Sequence, residues 1–148
     1  MTGIADVSKP YILVAEDNSG DVSLIRLALA ERGVALEVVV HADGEKAMKF
    51  LGEVDAGTCA GPELVVLDLN LPRINGRDVL ARIRNSPACG KIPVVVFSSS
   101  DSARDRDEAL SLGATLYMKK PSNLGDFLEV GTLLKGLIES PLHADSSR

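Results

Sequence analysis

Residues 64–75 read LVVLDLNLPRIN. Four apolar residues run into one acid, Asp68, and turn formers follow at once: Asn70, Pro72 and the Asn75-Gly76 pair. A short apolar run closed by turn residues reads as a parallel strand buried on both faces. An acid at the carboxyl end of such a strand lies where open α/β sheets carry out their ligand chemistry.

The same pattern recurs on either side. YILVA at residues 11–15 stops at Glu16-Asp17, PVVVFS at residues 93–98 ends on Ser98, and LYMK at residues 116–119 precedes Lys120-Pro121. A valine-rich segment over residues 35–40 makes a fifth candidate strand. Helical spacing predicts helices over residues 21–32, 43–51, 76–85, 103–112 and 123–138. Val22, Ile25 and Leu29 mark the inner side of the first, and Val79, Leu80 and Ile83 that of the third. Asn18, Ser19 and Gly20 carry capping chemistry ahead of the first helix, and Gly33 stops it. Residues 52–62, with three glycines, read as a loop.

Strict alternation of strand and helix, five times over, implies a parallel sheet with helices on both faces, an α/β fold in three layers. Five strands favour the flavodoxin-like order 2-1-3-4-5. In that order the first and third strands are neighbours. Their ends bring Glu16, Asp17 and Asp68 together, and Ser98 and Lys120 open onto the same edge.

A length of 148 residues allows one domain with a proper core and is short for two. The expected division is a lead over residues 1–10, the domain over 11–138 and a polar tail over 139–148, with no output domain after it. Sixteen basic against 21 acidic residues, a net charge of −5, leave no basic stripe for nucleic acid. No apolar run has the length of a signal peptide core or a membrane span, so no membrane contact and a cytoplasmic protein are expected. Cys59 and Cys89 have neither metal-ligand nor redox spacing and read as free thiols. His41 at the end of the second strand and His143 in the tail do not read as phosphodonors.

Three carboxylates within a few ångströms repel one another, and a divalent cation offsets the repulsion. Oxygen donors without His or Cys point to Mg²⁺, with Mn²⁺ able to substitute. Lys120 supplies a compact cation for a carboxylate or a phosphoryl oxygen, and Ser98 a hydroxyl. A carboxylate nucleophile, a metal, a lysine and a hydroxyl make a phosphoryl-acceptor site in which Asp68 attacks phosphorus.

These residues carry a resemblance. Glu16-Asp17-Asn18, Asp68 within LDLNLPRINGRDVL, Ser98 after PVVVF, and Tyr117 with Lys120-Pro121 in GATLYMKKP resemble the receiver domain of two-component response regulators, with its CheY-like fold, over residues 11–138. The resemblance implies a stoichiometric phosphoacceptor, not an enzyme, with intrinsic phosphotransfer and autodephosphorylation. Asp68 would accept the phosphoryl group. Asp17, Asp68 and the Asn70 main-chain carbonyl would ligate Mg²⁺, with Glu16 acting through a water. Lys120 and Ser98 would contact the phosphoryl group, and Tyr117 would turn inward as a switch. The Lys120-Pro121 peptide would be cis, and Asn70 and Ser100 would tune phosphate lifetime. The donor would be a sensor histidine kinase. EDNSGDVSLIRLAL and KKPSNLGDFL further resemble the small single-domain regulators paired with bacterial phytochrome kinases.

A competing reading is a Mg²⁺-dependent phosphatase working through an aspartyl phosphate. Such enzymes favour a second acid two residues after the nucleophile, where this chain has Asn70. The last helix carries an apolar stripe of Leu124, Phe127, Val130, Leu134, Leu137 and Ile138, widened by Leu128 and Leu133. That excess fits either a helix sunk between its neighbours or a homodimer through the fourth helix, fifth strand and fifth helix.

Overall fold

A computed structural model describes residues 9–139. The strands β1 (Tyr11–Ala15), β2 (Glu37–His41), β3 (Leu64–Leu67), β4 (Val94–Ser98) and β5 (Leu116–Lys119) alternate with five helices. These are α1 (Ser19–Glu31), α2 (Gly44–Asp55), α3 (Gly76–Arg84), α4 (Ala103–Ser111) and α5 (Leu124–Glu139). All strand pairs are parallel and the order is β2-β1-β3-β4-β5, as the alternation predicts.

Successive side chains of a strand point to opposite faces, and the two cores follow that period. Ile12, Val14, Leu64, Val66, Val95 and Phe97 pack beneath α1 and α5. Leu13, Ala15, Val65, Leu67, Val94 and Val96 pack against α2, α3 and Ala109 of α4. The α1–α5 approach is close because α5 has glycine at position 131. A Cβ there would lie 2.2 Å from the Ala28 carbonyl oxygen of α1.

Helix limits differ from the pattern where a local interaction outweighs it. The α1 helix starts at Ser19 because the Asn18 side chain accepts the Asp21 N–H at 2.9 Å. The α2 helix continues through Gly52 to Asp55 because Val54 is buried beside Leu51. An interior glycine costs about 1 kcal/mol and burying a valine returns about 1.5 kcal/mol or more, so the helix persists. Leu124, expected in the core stripe of α5, is 53% exposed; it opens the helix, ahead of the span that packs on α1.

No cis peptide occurs among the described residues, so the expectation of a cis Lys120-Pro121 bond is corrected. Trans is the favoured form of an X–Pro bond, and Lys120 reaches the acids in that form. His143 and most of the expected lead and tail lie outside the described residues.

Candidate functional site

Register decides which acids meet. Ala15 of β1 stands opposite His41 of β2 and Leu67 of β3. The ladder then runs one residue further on each side. The Glu16 N–H donates to the His41 carbonyl at 3.0 Å, and the Asp68 N–H to the Ala15 carbonyl at 3.0 Å. Two acids are thereby fixed by main chain at the carboxyl edge of the sheet. Asp17 follows, exposed, and oxygens of Glu16, Asp17 and Asp68 lie within 4.8 Å of one another.

The turn after Asp68 is equally constrained. The Gly76 N–H donates to the Leu69 carbonyl at 2.8 Å. A Cβ at Gly76 would stand 2.2 Å from the Asp68 carbonyl oxygen, so only glycine lets α3 begin so near the acid. The Asn70 N–H donates to Asp68 Oδ1 at 3.0 Å, which orients the carboxylate and leaves Oδ2 on the lysine side.

Lys120 comes from the far side of the sheet, where its N–H donates to the Ser98 carbonyl at 2.7 Å. Its Nζ lies 2.8 Å from Asp21, 3.0 Å from Glu16 and 3.4 Å from Asp68. Burial, and then the charge of Asp68, raise the Glu16 carboxyl to about 7, against the pull of Lys120. Burial opposes the charge of Lys120. Hydrogen bonds to Asp21 and Glu16 and the charge of Asp68 outweigh it and hold the ammonium well above the usual lysine range. Three carboxylates converge here, and the one ammonium that reaches Glu16 and Asp68 is shared with Asp21. An oxygen-only donor set with uncompensated negative charge fits Mg²⁺ or Mn²⁺.

Ser98 is buried at the end of β4, and its Oγ accepts the Ser100 N–H at 3.1 Å. Tyr117 donates its hydroxyl to the Ser100 carbonyl at 2.7 Å, and the Arg106 guanidinium lies 5.4 Å from its ring centroid. That ring is already inward, only 4% exposed, so a resting outward position does not describe this structure. Lys119 points away from the acids, toward Asp101 at 3.7 Å, as strand alternation requires. The His41 ring packs on Phe50 at 5.1 Å.

Asp21 is the contact that reading the chain missed. In the first turn of α1 an acid is accounted for by the helix dipole alone, and only the fold brings Lys120 to it. Arg106 over Tyr117 emerges only from the geometry, as does the contact role of Ser100, named above for phosphate lifetime, as the link between Ser98 and Tyr117.

The arrangement has known counterparts. The family model described as the response regulator receiver domain matches residues 12–130. The chain belongs to the response regulator receiver family. Receivers are phosphorylated on an aspartate by histidine kinases and act as signalling regulators that bind Mg²⁺ or Mn²⁺ through acidic residues. This receiver is 36% identical over 132 residues to response regulator Rcp1 of Synechocystis sp., spanning 86% of this chain and 88% of that one. The phosphorylated cyanobacterial phytochrome response regulator RcpA superposes on it with a TM-score of 0.80 at 36% identity, covering 89% of this chain and 95% of RcpA. The Mn²⁺-bound form of Rcp1 gives a TM-score of 0.79 at 32% identity, with 88% and 96% coverage. Among the described residues no helix is long and apolar enough to cross a membrane.

Proposed function

We propose that this receiver takes a phosphoryl group onto Asp68 from a phosphohistidine of a sensor kinase in the cytoplasm and signals by changed protein contacts. The observation that carries the reading is the convergence of Glu16, Asp17 and Asp68 within 4.8 Å, with Lys120 Nζ 3.4 Å from Asp68. Likeness to a phytochrome response regulator supports a phytochrome kinase as the donor. The working unit is the receiver over residues 11–138.

An Asp68 oxygen attacks phosphorus as the bond from phosphorus to the kinase imidazole breaks; the imidazole leaves with that electron pair and takes a proton from solvent. The Asn70 N–H keeps the carboxylate oriented for attack. Glu16, Asp17, Asp68 and the Asn70 main-chain carbonyl are the groups that would hold Mg²⁺ or Mn²⁺, Glu16 at longer range. When bound, the ion supplies positive charge against the carboxylates and the phosphoryl oxygens. Lys120 and the Ser98 hydroxyl each donate to a phosphoryl oxygen. Water later attacks phosphorus, inorganic phosphate leaves, and the Asp68 carboxylate is regenerated, once per phosphorylation.

The outward signal runs through Ser100. Turning the Ser98 hydroxyl toward a phosphoryl oxygen alters the bond it accepts from the Ser100 N–H, and the Ser100 carbonyl holds Tyr117. Tyr117 then changes the face of α4, β5 and α5 as one element with two arrangements. Exposed Leu133 and a groove bounded by Met118, Pro121 and Val130 support a homodimer on that face.

Phosphotransfer from a phosphorylated kinase, or from acetyl phosphate, is expected to label the wild type stoichiometrically and Asp68→Asn not at all. Label persisting in Asp68→Asn would show that another residue accepts the phosphoryl group. Profiling against the kinases of the source genome would identify the donor.

A further inference from the structure

Asp21 has no part in the chemistry above, yet it makes the shortest ion-pair contact of the Lys120 ammonium. The ammonium lies 2.8 Å from Asp21, 3.0 Å from Glu16 and 3.4 Å from Asp68. Glu16 and Asp68 belong to the group whose oxygens converge, and Asp21 does not. The Asp21 side chain is also the most open of the three, 21% exposed against 2% and 6%. Its backbone is set by the Asn18 cap, so the carboxylate is anchored at the start of α1.

Lys120 thus spans two kinds of acid. A divalent cation among Glu16, Asp17 and Asp68 repels an ammonium that sits on the same carboxylates and draws their lone pairs to itself. The ammonium then needs an acid outside that group. We propose that Asp21 is a positioning residue for Lys120, taking the ammonium when a divalent cation occupies the acidic group while keeping it within reach of Asp68. This inference rests on the metal and acceptor reading above. With the Asp21 charge removed, Lys120 stays on Glu16 and Asp68 and competes with the cation.

Calorimetric titration of the full chain with MgCl₂, in about 0.15 M salt to screen distant charge, tests it. Asp21→Asn is expected to weaken Mg²⁺ binding roughly five- to tenfold, and Asp21→Glu to stay within about twofold of wild type. In a Lys120→Gln background, Asp21→Asn should change affinity by no more than about twofold. A Lys120→Ala background serves if Lys120→Gln does not fold, as judged by circular dichroism in chelator. An Asp21→Asn protein with wild-type affinity overturns the inference alone. An equal loss with and without Lys120 also overturns it, because Asp21 then acts through its own charge. Absence of Mg²⁺ binding in the wild type overturns the metal reading and this inference with it.

Discussion

Replacing Glu16 by Gln probes the electrostatics of the acidic site before any phosphate is involved. Glu16 is 2% exposed, and its carboxyl is raised from an ordinary 4.5 to about 7, first by burial and then by Asp68. Below pH 4.5 folded and unfolded chains both carry the proton, and the site costs nothing. Between 4.5 and about 7 the unfolded chain has released it while the folded chain retains it. The stability contributed by neutral Glu16 is therefore full below the lower value and lost as pH rises through the upper one. At about 1.4 kcal/mol per pH unit, the interval amounts to about 3 kcal/mol at most. With a urea slope of about 2 kcal/mol per molar, the unfolding midpoint should fall by roughly 1 to 1.5 M over that range.

Glutamine is neutral throughout and lacks this slope. Urea melts in chelator between about pH 4.5 and 7.5 should diverge, with Glu16→Gln the more stable protein at the upper end. Titrations common to both proteins cancel in the difference. His41, held below its usual range by burial and Lys46, is one of them. Saturating Mg²⁺ favours the ionised carboxylate, so it should flatten the wild-type profile. If the two proteins run parallel in chelator, Glu16 is not paying a charge penalty, and the case for a cation-seeking cluster loses its electrostatic basis.

Two further outcomes bear on the site and on the frame that holds it. Mg²⁺ is expected to raise the melting temperature of the wild type in proportion to its occupancy, because it binds only the folded acidic group; a melting temperature indifferent to Mg²⁺ would contradict the donor set. Gly131→Val should cost about 1–3 kcal/mol, roughly 3–10 °C in melting temperature, because its Cβ meets the Ala28 carbonyl at 2.2 Å and forces α1 and α5 apart. A variant that melts with the wild type would mean that this helix contact yields freely.

What could be read along the chain depended on whether its cause is local. β1, β3 and β4 are apolar at nearly every position, β1 and β3 run directly into Glu16 and Asp68, and β4 ends on Ser98, so burial on both faces is written into the runs themselves. β2, at the sheet edge and only half-buried, carries a weaker pattern and runs from Glu37 to His41, starting two residues after the expected span of 35–40. The convergence of Glu16, Asp17 and Asp68 was legible in the same way, since sheet order alone brings the ends of β1 and β3 together. The partner of a charge is another matter, because it depends on every charge the fold brings near. Lys120 follows β5, about a hundred residues after Asp21 in the chain, and nothing local to either foretells their contact. Tyr117 shows the same for orientation. Its place on β5 follows from the strand, but its inward pose depends on the Ser100 carbonyl and on Arg106 of α4. Such pairings are where receivers with the same acids can differ in behaviour. An acid in the first turn of α1 changes what Lys120 is paired with, while Glu16, Asp17, Asp68 and the lysine itself stay the same.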